Sequence, residues 1–414
     1  MAGKWEVASL AESGVSLIDC DHRTPPAASA GYPYVAIPQL DAGRIDLSDV
    51  RRITAEHFAE WTRKAKPEAF DVVLSRRCNP GETAFVPPGL EFALGQNLVL
   101  LRSTGTRVAP EFLRWLVRGP AWWDQVQKFI NVGAVFDSLR CADVPKFELP
   151  VPPLPEQRAI ARILGALDNK IELNRKMNAT LEAMARALFK SWFVDFDPVR
   201  AKSEGRAPSG MDAETAKLFP SELVESELGL IPRGWRVGRL DDLLVLQRGF
   251  DLPTHSRTPG PYPVVAASGP TEGHSAAQVR GPGVVTGRSG VLGKVFLVLE
   301  DFWPLNTALW VKEFRACGPH FAYFALQQID FGAFNAGSAV PTLNRNHVHG
   351  LPWLLPDGAV VQVFEQFGAG TFQKRDALNA QSRTLARVRD DLLPRLLSGE
   401  LSVAHAESAV EAFT

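Results

Sequence analysis

The sequence predicts an α+β fold: two mixed α/β domains separated by two long antiparallel helices, with an internal pseudo-twofold produced by tandem duplication. Three observations predict it. NVGAVFDSLRCADV (Asn131 to Val144) and NAGSAVPTLNRNHV (Asn335 to Val348) share Asn, Gly, Leu and Val at a constant offset of 204, which also relates Pro152 to Pro356, Leu181 to Leu385 and Leu188 to Leu392. A run of roughly forty residues, Pro152 to Trp192, keeps helical periodicity throughout, and a weaker version spans Val360 to Leu401. Elsewhere the apolar runs are short and bounded by Gly and Pro, as strands are. Collinear repetition of this kind marks a duplicated structural unit.

Upstream of the constant offset the match continues with drifting spacing, as loop insertions produce. KWEVASL (Lys4 to Leu10) resembles GWRVGRL (Gly234 to Leu240), GYPYVA (Gly31 to Ala36) resembles PYPVVA (Pro261 to Ala266), and FDVVLSRRCNPG (Phe70 to Gly81) resembles PGVVTGRSGVLG (Pro282 to Gly293). The first domain is placed at 1–152. It has strand-like DVVLS, FALGQNLVLL and KFELPVP, and a helix near PEFLRWLV, where Pro110 suits a first turn. The central helix is placed at 153–198, with Pro155 and Glu156 suited to its N-terminal turn. Along it Ile160, Leu164, Leu167, Ile171, Asn174, Asn178, Leu181, Ala185, Leu188 and Trp192 step alternately by four and three, a heptad seam. The two asparagines either fix the register of the helix pair or point to solvent through a shifted stripe. Residues 199–227 are polar and interrupted by Gly and Pro, and read as a linker. The second domain is placed at 228–354 and the terminal helix at 355–414. That helix repeats the seam with Phe364, Leu378, Leu385, Leu392 and Leu396, while Gly368 and Gly370 weaken its early turns. A helix of about forty residues extends roughly 60 Å and cannot bury its stripe alone. Pairing the two helices antiparallel makes a two-headed ruler, suited to touching two places on one face of a DNA duplex.

Composition narrows the function. At 414 residues the chain exceeds one comfortable core, and 45% hydrophobic with 22% charged content is that of a folded protein. Its four cysteines lie far apart with no C-x-x-C pair, against a zinc site or disulfide framework and in keeping with a reducing cytoplasm. The first residues lack a basic run followed by an apolar core, so no signal peptide is expected, and no apolar stretch is long enough to span a membrane. The formal net charge of −1 excludes a uniformly basic protein but not a basic face. An amino-group methyltransferase needs an N-P-P-[YF]-like tetrapeptide, and the nearest string here is NPGE (Asn79 to Glu82). No P-loop and no H-E-x-x-H occurs. The chain is expected to have no active site, no metal and no cofactor of its own.

LPVPPLPEQRAIARIL (Leu149 to Leu164), SWFVDFDPVRAK (Ser191 to Lys202), LGLIPRGW (Leu228 to Trp235) and RDDLLPRLLSGEL (Arg389 to Leu401) resemble the specificity subunits of type I restriction–modification systems, over essentially the whole chain. The second helix departs from the pattern: LPDGAVVQVFEQ (Leu355 to Gln366) replaces the proline-and-Glu-Gln start of the first and leaves its beginning open. The resemblance implies a non-catalytic subunit with two target-recognition domains, each reading half of a bipartite, asymmetric DNA site for host defence. It implies that the helices form the spacer and dock two modification subunits, which methylate adenine N6 with S-adenosylmethionine, and that a restriction subunit using ATP joins. A methylation-only or other defence system, or a two-headed coiled-coil adaptor without DNA, stays open as an alternative.

For DNA contact the loops after DVVLS and GVVTG stand out. Arg76 and Arg77, and Arg288 with Lys294, lie at strand ends beside glycines, where backbone N–H groups approach phosphate and Arg offers a fork to phosphate or guanine. The second of these (Gly287 to Gly293) also resembles the family's S-R-x-G-x-x-G loop. A second candidate is Gly337 to Asn346 with its counterpart Gly133 to Arg140: Arg140, Ser338, Thr342, Asn344 and Arg345 offer donors and acceptors to base edges, while Asn131 and Asn335 suit holding the loop. Each Arg has the plain alternative of a solvated surface residue. His347 and His349 would share one face of a strand, but surface or DNA-facing histidines fit better than a metal site. Trp115, Trp122, Trp123 and Phe129 read as core rather than as a stacking platform.

Overall fold

The apolar run Val72–Ser75 is buried on both faces, so it lies inside a sheet rather than at its rim. The structure, a computed structural model, describes residues 5–133, 135–334 and 342–411. It divides into two units, residues 1–174 with 380–414 and residues 175–379.

In the first unit Val72–Ser75 lies in a four-stranded antiparallel sheet of order Val15–Asp19, Leu98–Ser103, Val72–Ser75, Thr83–Phe85. Alternation divides the strands between two cores. Val72, Leu74, Val99 and Leu101 face the helices Pro110–Leu116 and Pro120–Phe129, whereas Val73, Leu98 and Leu100 pack with Phe92 and Cys20. A three-stranded sheet joins Arg51–Ile53, Tyr32–Val35 and Ala93–Leu94, the first pair antiparallel and the second parallel. Glu6–Ser9 pairs with Glu148–Val151, just before the long helix. Trp115 and Trp122 are buried; Trp123, expected in the core, is 37% exposed because its neighbour Trp122 already occupies the inward face of the helix.

The second unit repeats this strand for strand. Its four-stranded antiparallel sheet has the order Leu244–Arg248, Ala308–Phe314, Gly283–Gly287, Val295–Val298. Its three-stranded sheet joins Gly269–His274, Pro259–Ala266 and Trp303–Pro304, again antiparallel and then parallel, and Arg236–Arg239 pairs with Pro352–Leu355. The fold is thus α+β, with two mixed domains of one topology and two long helices.

Those helices are Leu154–Phe193 and Gly358–Leu397, and each contributes to both units. In the first unit they run antiparallel, with Ile160, Leu164, Leu167 and Ile171 buried together with Leu385, Leu392 and Leu396. Asn174 is also buried and donates from Nδ2 to Gln381 Oε1 at 2.9 Å and Ser382 Oγ at 3.2 Å. In the second unit Asn178 donates to Asn379 Oδ1 at 2.7 Å. Ala185 is buried there, as are Leu378 and Phe364, but Leu181 and Leu188 are only half-buried. Aromatic packing takes over: Phe189, Trp192 and Phe193 meet Phe321 and Phe364. Gly368 does not weaken the helix to breaking, because it is a contact point: a Cβ there would lie 2.6 Å from His320 Cβ.

A polar side chain from each long helix caps a domain helix. Gln157, fully buried, accepts from Ala109 N at 2.7 Å and donates to the carbonyls of Arg107 and Pro152, fixing the start of Pro110–Leu116. Glu365 accepts from the N–H groups of His320 and Phe321 at 3.0 and 2.9 Å, at the positive end of Pro319–Leu326.

Two expectations need correction. Residues 199–227, read as a polar linker, are ordered: they hold the end of the helix Asp197–Ser203, the helix Ala213–Lys217 and the strand Leu223–Ser226, which pairs with Gly229–Pro232. Sparse apolar residues suffice, because Val199 and Phe219 are buried and Phe219 packs edge-on to Trp192 at 5.1 Å. His347 and His349 lie on a helix, Arg345–His349, not a strand. Two residues apart, they point to different sides, and His349 Nε2 is taken by the Leu246 N–H at 2.9 Å.

Candidate nucleic-acid interface

Each four-stranded sheet delivers its central strand into a turn held by the same hydrogen bonds. In the first unit Arg76 N donates to Asn97 O at 3.0 Å and Arg76 O accepts from Leu139 N at 2.8 Å. Ser138 forms bridges to both Arg77 and Asn131. In the second, Arg288 N donates to Thr307 O at 2.9 Å, Arg288 O accepts from Leu343 N at 2.8 Å, and Ser289 bridges to Thr342. The loops 76–82 and 131–140, distant in sequence, are therefore one surface, and so are 288–294 and 342–345. Ser338 and Asn335 lie outside the described residues.

A third segment completes each surface and was missed from sequence: the corner Gly95–Asn97, with Leu305–Thr307 as its counterpart. The backbone of the corner holds Arg76 or Arg288. Its only sequence signal was the polar residues between two β-rich runs in FALGQNLVLL, repeated as FWPLNTALWV.

Glycines make the turns possible. Gly81 has φ +97°, and a Cβ on it would lie 2.8 Å from Val126 and 2.9 Å from Trp123, so the loop lies flat on the helix Pro120–Phe129. Gly290 and Gly293 also have positive φ, but open space surrounds them, and another molecule can approach that backbone closely.

Arg77, Arg140, Lys294 and Arg345 are exposed, whereas Arg76 and Arg288 are half-buried beneath them. Arg288 reaches the Asn306 carbonyl at 3.4 Å, and the Arg77 guanidinium lies 5.4 Å from the Phe136 ring. Asn344 spends its Oδ1 on Asn346 N at 3.0 Å as a helix cap, so it is committed locally. Among the described residues none of these six cations forms a salt bridge, although the chain has many elsewhere. Unpaired cations around backbone N–H groups bind anions and reach base edges. Asp19, Cys20 and His22 bring three ligand types together nearby. They suit a cation poorly: Lys64 Nζ stands 3.7 Å from Asp19, and burial pushes the Cys20 thiol up to about 11.

Cys78 occupies the tip of the loop 76–82 and is exposed, while Cys20 is buried and Cys141 and Cys317 are half-buried. Burial pushes all three of these thiols upward. Brief alkylation at neutral pH is expected to modify Cys78 alone by peptide mass spectrometry, and duplex DNA to slow it several-fold. An unchanged rate with DNA bound contradicts this placement of the interface.

Residues 21–183 match the family described as type I restriction modification DNA specificity domain. The type I restriction enzyme HindI specificity subunit of Haemophilus influenzae is 26% identical over 399 residues, covering 80% of this chain and 86% of that protein. The MjaIX specificity subunit of Methanocaldococcus jannaschii is 24% identical over 400 residues, covering 90% and 85%. The crystal structure of a type I restriction–modification S subunit from M. genitalium shares the fold with a TM-score of 0.57 at 14% identity, over 95% of this chain and 96% of that one.

Proposed function

We propose that this chain is a DNA-recognising specificity subunit of a type I restriction–modification system, as its similarity over residues 21–183 and to two such subunits supports, and that it reads a bipartite, asymmetric target with one half-site per domain. The observation that carries this reading is the recurrence, once per unit, of one surface: a central-strand turn, a corner and a returning segment, studded with cations that form no salt bridge among the described residues. Phosphate contacts at Arg77, Arg140, Lys294 and Arg345 position the duplex, and base edges are read from the loops between them. The two long helices set the number of base pairs between half-sites and dock two modification subunits. Those subunits methylate adenine N6 with S-adenosylmethionine, and a restriction subunit using ATP completes the assembly in the cytoplasm. This chain supplies sequence choice and no chemistry of its own.

Inserting one heptad after Asn174 tests the reading. Seven residues add about 10.5 Å of helix, or roughly three base pairs at 3.4 Å each. The assembled complex is expected to recognise both original half-sites with a spacer longer by about that amount. Altered half-site sequences would refute the helix as a spacer, and an assembled complex whose duplex binding shows no salt dependence would favour a protein adaptor.

A further inference from the structure

Beside each reading surface lies a side-chain pair built on the same scaffold, with a carboxylate at the strand end in one unit and a guanidinium in the other. At the end of Val15–Asp19, Asp19 Oδ2 lies 3.1 Å from His22 Nε2, and His22 Nδ1 lies 2.8 Å from Gln96 O. At the end of Leu244–Arg248, Arg248 Nη2 lies 3.1 Å from Asp251 Oδ1, which also accepts from Asn306 Nδ2. Sheet register makes these equivalent places. Asp19 pairs with Val99, which faces Leu74; Arg248 pairs with Leu309, which faces Thr286. The partners Gln96 and Asn306 both belong to the corner whose next residue holds Arg76 or Arg288.

A link needed only to brace the turn has no reason to place a carboxylate at the strand end in one copy of the scaffold and a guanidinium in the other. What differs is the strand-end group beside the reading surface: Asp19 is 29% exposed, with Lys64 Nζ 3.7 Å away, and Arg248 is 49% exposed, while their partners His22 and Asp251 are 49 and 65% exposed. The Cys20 N–H donates to Asp19 Oδ1 at 3.1 Å and the His22 ring bridges Asp19 Oδ2 and the Gln96 carbonyl, so the Asp19 carboxylate is held in place, as Asp251 holds the Arg248 guanidinium. We propose that Asp19–His22 and Arg248–Asp251 are specificity-determining pairs. The carboxylate of the first domain accepts from an amino-bearing base edge, cytosine N4 or adenine N6, and the guanidinium of the second donates to guanine O6 and N7. The proposal rests on the DNA-reading function above and assigns the chemistry by which the two half-sites differ.

The test exchanges the pairs. The chain is assembled with its modification subunit, and the methylated motif is determined for the natural protein, D19R/H22D and R248D/D251H. Each exchange is expected to shift preference about tenfold or more at one or more base pairs of a single half-site, leaving the other half intact. Natural motifs from both exchanged proteins would overturn the proposal, as would changes in both halves from one exchange. Should an exchange abolish methylation, D19N/H22N and R248Q/D251N decide the matter: relaxation confined to one half-site supports the pairs as readers, and unaltered motifs exclude them. If the natural chain itself directs no split motif, it is the DNA-reading premise that fails.

Discussion

Asp168→Ala is expected to destabilise the first unit by roughly 3–5 kcal/mol, the cost of removing one partner from a buried ion pair. Asp168 lies on the central helix and meets Arg389 of the terminal helix at 2.6 Å and Arg114 of the helix Pro110–Leu116. The side chains are 14, 10 and 13% exposed, so water cannot replace the lost carboxylate. Burial, together with the Arg118 and Arg389 cations, already pushes the Arg114 guanidinium down; Asp168 is the acid that makes two buried cations tolerable. Arg114 also lies over Phe85 and Trp115, at 4.2 and 4.3 Å, and cannot swing out without uncovering them. Urea unfolding is expected to show a lower midpoint for Asp168→Ala, with a smaller loss for Asp168→Asn, which keeps an acceptor. A loss below about 1 kcal/mol would place Asp168 among ordinary surface pairs.

Arg77→Ala with Arg140→Ala is expected to weaken binding of the assembled complex to every duplex alike and to lower the salt slope of binding by about one per residue. Both side chains are exposed on the same surface of the first unit and form no salt bridge among the described residues, the geometry of phosphate contact rather than base readout. Arg288→Ala differs, because its guanidinium is half-buried and pinned to the Asn306 carbonyl. Its expected cost is about 1–3 kcal/mol for the cognate site with relaxed preference at one base pair. Titrations at several salt concentrations separate the two kinds of residue. An unchanged slope after removing both surface arginines would mean that they stand away from DNA.

Legibility in the sequence followed the physics of duplication. The offset of 204 survives from Asn131 to Leu188 because helix packing tolerates no insertion there, and this stretch made the domain order readable. Loops drift, so upstream matches were recognisable only as fragments. The reading surface was half visible: arginine beside glycine after an apolar strand is a local pattern, but the corner at Gln96 and Asn97 joins it only through sheet register. Asp19–His22 and Arg248–Asp251 were hidden for a further reason, since an aspartate at one strand end and an arginine at its equivalent erase the very similarity by which repeats are found. Alternation misled at His347 and His349, where Asn344 as a helix cap was the overlooked signal. Nor did any local pattern predict Gln157 or Glu365 as caps, because the N–H groups they satisfy lie 44 to 48 residues away.

The role proposed for this chain is selection of the DNA sequence on which a modification subunit acts. Mapping N6-methyladenine across genomic DNA in cells expressing that modification subunit, with and without this chain, tests it most directly. A split motif that appears only with the chain is the predicted result. An unchanged methylation pattern, with the modification subunit active, would contradict it.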